Sequence, residues 1–84
     1  MYQNYVVEIK QNHNDEFEHE VFWLWDEDAE KAMLKAKSKY HSILAEACLS
    51  DTKKHSAILF TSDGFPVMNQ CYEHEPKPEQ EAEE

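Results

Sequence analysis

The stretch Glu20–Asp28, "EVFWLWDED", sets five apolar residues side by side, Val21 to Trp25, and closes on three acids. Side chains alternate along a strand, so Phe17, Val21, Trp23 and Trp25 share one face while Phe22 and Leu24 share the other. The three acids read as the start of a helix. Asp26 is the expected N-cap, with Glu27 and Asp28 in the first turn, where the helix dipole favours carboxylates.

Upstream, "YQNYVVEIKQ" also alternates: Tyr5, Val7 and Ile9 on one face, Asn4, Val6, Glu8 and Lys10 on the other. The turn formers "NHNDE" join it to the next strand by a connection short enough for a hairpin. Downstream, Ala29, Ala32, Met33, Ala36, Tyr40, Ile43, Leu44, Ala47 and Cys48 recur at helical spacing, predicting a helix from about residue 27 to about 49. Lys31, Lys35 and Lys39 line a separate face, with Glu27 placed to pair Lys31.

"HSAILFTS" and "FPVMNQCY" flank Asp63-Gly64, a strong signal for a two-residue hairpin loop with both turn residues at positive φ. That loop sets Ser62 opposite Phe65, Phe60 opposite Val67, Ile58 opposite Asn69 and His55 opposite Tyr72. One face then carries Ile58, Phe60, Phe65, Val67 and Cys71. The other carries His55, Ala57, Leu59, Thr61, Met68, Gln70 and Tyr72. Pro66 lacks an N–H and belongs at a sheet edge. The predicted fold is α+β: a ββαββ two-layer domain over residues 1–73, its antiparallel hairpins packed on one long helix. The acidic segment 74–84 is expected to be a disordered tail, since it has little apolar surface to offset the entropy of ordering.

One helix covers one face of a four-stranded sheet, yet the strand around Trp23 and the last hairpin are apolar on both. Contiguous aromatic surface left in water marks an interaction site. Trp23, Trp25, His55, Met68, Gln70 and Tyr72 are the candidate interaction residues, with a second copy of the chain or a distinct partner or ligand as the occupant.

The totals narrow the function classes. The chain has 84 residues, 18 acids and 8 bases, a net charge of −10, and every base is Lys. Without Arg there is no bidentate phosphate fork, so direct nucleic-acid binding is not expected. Nucleic-acid mimicry through the acidic surface remains an alternative. No stretch approaches the roughly 20 apolar residues of a membrane span. Met1 leads straight into mixed polar and apolar sequence, and Cys48 and Cys71 form no CxxC; a reducing cytoplasm is expected. Both cysteines are placed under the helix. His13 and His74 are expected to be solvated. The zinc spacings, Gly-rich phosphate loops and nucleophile motifs are absent, so no metal, cofactor or catalytic residue is assigned. His55, Gln70 and Tyr72 form at most a polar strand edge able to hold a small ligand.

Several stretches together carry a resemblance. "YVVEIKQN", "KYHSILAEA", "HSAILFTSDGFPVMNQCYEHE" and the Glu-rich end resemble small acidic proteins encoded in phages and prophages of gut Firmicutes. The resemblance spans most of the chain from Tyr5 onward, with Tyr40, His41, Ile43, Leu44, Ala45, His55, Ala57, Cys71, Tyr72 and His74 among the matching positions. It implies a viral origin and expression in a bacterial host cytoplasm, and it carries over no functional residue. The expected role is a non-enzymatic, homo-oligomeric accessory protein that interferes with a host factor, a defence factor being one such target. The alternatives are a sponge holding a small nucleotide between subunits, with Lys35 or Lys39 supplying charge, and a virion structural or assembly protein.

Overall fold

The computed structural model describes residues 1–75. In chain order the elements are β1 (Tyr2–Gln11), β2 (Phe17–Asp26), α1 (Ala29–Leu49), β3 (Lys54–Thr61) and β4 (Pro66–Glu73). The ββαββ order and the two-layer α+β architecture are those read from the sequence. The four strands form one antiparallel sheet in the order β2-β1-β3-β4. Helix α1 carries the chain from the β2 edge across β1 to β3. Of the acidic tail expected over residues 74–84, residues 76–84 lie outside the described residues.

Helix α1 begins two residues later than the acids suggest. Asp28 is the N-cap, and its carboxylate accepts the Lys31 N–H at 2.9 Å. Asp26 instead ends β2, accepts the Asp28 N–H and pairs with Lys35 at 2.9 Å. Strand β2 runs through Asp26 because that residue still faces Tyr2 of β1. Glu27 therefore precedes the helix, and Lys35 rather than Lys31 finds the carboxylate.

Both hairpins turn in the same way. Asp15 and Gly64 each donate a backbone hydrogen bond to the residue three before, Asn12 and Thr61, and each has positive φ, 64° and 91°. The residues at the start of each turn then donate across it, Asn12 to Glu16 and Thr61 to Phe65. This corrects the two-residue Asp-Gly loop: the second loop has three residues, only Gly64 is left-handed, and the strand restarts one residue out of step. Phe60 consequently faces Pro66 rather than Val67, while Leu59–Met68, Ile58–Asn69 and His55–Tyr72 pair in the expected register. The irregularity sits beside Pro66 on the edge strand, where a missing N–H costs no ladder bond.

The layer between α1 and the sheet is thin. Ala32, Ala36 and Ala47 are fully buried, with Tyr40 and Ile43 beside them, against Val6, Ala57 and Leu59. Small helix residues let the backbone approach the sheet closely, so few large side chains fit between. Val6 and Leu59 are the largest side chains that are fully buried. Phe22, Leu24, Met33, Leu44 and Met68 pack around this nucleus.

Candidate functional site

The helix covers the more polar face of the sheet. On that side lie Asn4, Val6 and Glu8 of β1 and His55, Ala57 and Leu59 of β3, all buried. The opposite face has no cover among the described residues. It carries Tyr5, Val7 and Ile9 of β1, Val21, Trp23 and Trp25 of β2, Ile58 and Phe60 of β3, and Pro66, Asn69 and Cys71 of β4.

Register places these side chains in rows across the strands. One row reads Trp23, Tyr5, Phe60, Pro66; the next reads Val21, Val7, Ile58, Asn69. Tyr5 stacks on Phe60 with centroids 4.9 Å apart, and its other side meets Trp23 at 4.7 Å. Such pairs fix one another beyond simple area burial. Trp23 and Trp25 remain 54% and 52% exposed, so the aromatic row faces outward. Toward β4 the face sinks into an open, mainly apolar trough lined by Ile58, Phe60, Pro66 and Cys71. Charged side chains on this face are confined to its end row, Lys54 opposite Glu73.

The six residues singled out from the sequence do not form one surface. Trp23 and Trp25 lie on the open face. His55, Met68, Gln70 and Tyr72 have the opposite parity and lie on the helix side, Gln70 exposed at the edge and Met68 and Tyr72 half-buried. His55 is only 3% exposed because α1 lies over it, and it is removed from the interaction surface. Its Nε2 lies 2.6 Å from Oε2 of Glu8, and its Nδ1 has no partner among the described residues. Lys10 stands 3.9 Å from the same carboxylate. Beneath the helix, burial pushes the Tyr40 hydroxyl above the usual tyrosine range, with Tyr72 adding to the shift.

Other expectations are also corrected. Cys48 and Cys71 are both exposed, Cys48 on the outer side of α1 and Cys71 on the open sheet face. His74 is half-buried rather than solvated and donates to the Ala47 carbonyl at 2.7 Å, tying the residue after β4 to the end of α1, whereas His13 is exposed as expected and donates to the Asp51 carbonyl at 2.8 Å. Lys35 is held by Asp26 and by the Trp25 carbonyl, and Lys39 lies 4.1 Å over the Phe22 ring. Asp26 is held below the usual carboxylate range first by the Asp28 N–H and then by Lys35. The two lysines offered for a nucleotide thus already have partners within the fold.

Tyr5, Ile58 and Phe60 are the central residues of the open face that were not singled out. The available signal was parity: each shares a face with residues already suspected, once strands β1 and β3 are set side by side. Among the described residues, no group of three or more His, Cys, Asp or Glu side chains converges as a metal site, and no helix is long and apolar enough to cross a membrane. Comparison with family models, with curated proteins and with solved structures finds no match.

Proposed function

We propose that this chain is a non-enzymatic binding protein that works as a homo-oligomer, a phage-encoded accessory factor that interferes with a host protein. The observation that carries the reading is the open sheet face, where the most apolar and aromatic surface of the molecule stands opposite the helix rather than beneath it. Exposed apolar surface of this extent marks a contact surface. Exposed tryptophan on such a surface is a side-chain type enriched among the residues that dominate binding. The viral origin and the host target rest on the sequence resemblance alone. With the sheet face engaged in self-association, the helix and the acidic sheet edge at Glu16, Glu18 and Glu20 are left to meet the host protein.

The test is affinity capture from a bacterial host lysate with the full chain, followed by titration of the purified candidate in a calorimeter. A stoichiometric complex at micromolar concentration or tighter is the expected result. If no captured protein rebinds after purification, the interference reading is wrong.

A further inference from the structure

We infer that the occupant of the open face is a second copy of this chain, packed sheet on sheet about a twofold axis parallel to the strands, with Trp23 of each copy seated in the β3–β4 trough of the other. The inference rests on reading the face as an oligomer interface and goes further by naming its symmetry and its contacts.

Charge argues for self-contact. The chain carries 18 acids, yet the face is charge-free between its ends. Two copies of a strongly acidic protein repel at long range, and a contact surface free of acids adds no close like-charge pair to that repulsion. A surface that recognises a different protein usually carries a complementary charged rim, which fixes register and raises the rate of encounter.

Area agrees. Four strands of about eight residues outline a flat patch on the order of 500 Å². Side-chain relief from Trp23, Trp25 and Phe60 carries the accessible area toward the roughly 800 Å² per partner of a standard interface. The thin core supplies the need: among the described residues the buried apolar side chains are four alanines with Val6, Tyr40, Ile43 and Leu59, and small domains with slight cores commonly gain stability by oligomerising.

Shape fixes the axis. The face exposes Trp23 and Trp25 at the β2 edge and has a shallow, open depression toward β4, where Ser56, Asn69 and Gln70 line it beside Ile58, Phe60, Pro66 and Cys71. An isologous interface must be complementary to itself. A twofold axis along the strands, running between β1 and β3, lays the β2 edge of one copy over the β4 edge of the other without moving residues along the strand. Trp23 shares a row with Phe60 and Pro66, so the operation brings the ring over the trough of the partner. A twofold axis across the strands stacks β2 on β2 and leaves both troughs empty.

The experiment combines light scattering with site-directed cross-linking in the full chain. In a background with Cys48→Ser and Cys71→Ser, Val21→Cys and Asn69→Cys are made as separate variants. Each is treated with a short bis-maleimide that spans the ~10 Å between packed sheets. The expected result is a dimer by mass and a covalent dimer only when the two variants are mixed, because Val21 of one copy faces Asn69 of the other. Trp23→Asp should weaken the dimer at least about 100-fold, since two symmetric anchors are lost. Cross-linking of Val21→Cys with itself overturns the axis. A dimer indifferent to Trp23→Asp overturns the face while leaving self-association in place. A clean monomer at micromolar concentration overturns both the inference and the oligomer reading, and a monomer that binds a host protein through Trp23 assigns the face to that partner instead.

Discussion

At the scale of single residues, two positions hold unusual backbone and one pair holds buried polarity. Gly64 sits at φ 91°, and a Cβ there meets only the Tyr5 hydroxyl at 3.7 Å, an ordinary contact. Gly64→Ala therefore loses stability through backbone strain alone, about 1–2 kcal/mol. Urea unfolding measures it, and an unchanged midpoint contradicts the left-handed turn. Glu8 and His55 depend on each other under the helix. Removing one leaves the other buried without its partner, so Glu8→Ala should cost roughly 3 kcal/mol. Replacing both by apolar residues of similar volume should recover most of that loss. A double variant as unstable as the single one argues that packing, not the polar pair, sets the cost. Tyr40 gives the pH dependence. Its folded pKa is raised by burial, so its contribution is fully present below the unfolded value near 10 and is lost as pH rises through the folded value. Tyr40→Phe should flatten the fall in stability above about pH 10, where tyrosine ordinarily ionises. Equal alkaline slopes for the two proteins count against a protonated, buried Tyr40.

At the scale of elements, the decisive contact is between α1 and the two central strands. Ala32, Ala36 and Ala47 set its closeness. Ala36→Leu drives a branched side chain into a layer with no room for it and should cost about 1–3 kcal/mol or more. Thermal melts followed by circular dichroism measure it, and a neutral result means the layer is looser than described. The helix start is sensitive in another way: Asp28→Ala should cost ~1 kcal/mol, whereas Asp28→Asn, which still accepts the Lys31 N–H, should cost a few tenths. The elements themselves were legible because each has one dominant periodicity: alternation in "YVVEIKQ", helical spacing from Ala29 to Cys48. The choice of sheet face was not. "VVEI" and "AILF" are apolar on both parities, and the pairing that lets Glu8 and His55 lie under the helix joins residues 47 apart. No local pattern reports such a pair. The loop at Gly64 failed for a different reason, since Asp-Gly suits both a two-residue turn and a three-residue turn with a bulge. Trp23 and Trp25 were singled out because five apolar residues in one strand exceed what one helix covers, and both lie exposed on the open face. His55 was misplaced because its exposure depends on the helix above it.

At the scale of the whole molecule, the described chain is two layers with one sheet face open, and in the proposed dimer it is half of a sandwich. Sheets with one polar face turn that face to water and place the helix on the apolar one. Here the helix takes the face with Asn4, Glu8 and His55, and Tyr5, Trp23, Ile58 and Phe60 face outward. Such an arrangement is stable when a second copy supplies the missing layer, and folding is then coupled to association. Mass action follows: a tenfold rise in protein concentration stabilises a folded dimer by about 1.4 kcal/mol relative to unfolded chains. For a dimer of this size that corresponds to a rise in Tm of roughly 3–5 °C. Added salt should raise Tm further at fixed concentration, because it screens the repulsion between two chains of net charge −10 while leaving the apolar contact intact. Calorimetric scans at 10-fold spaced concentrations, with and without salt, read both effects. A Tm independent of concentration means that the chain folds alone, and the aromatic face must then remain stable in water without a partner.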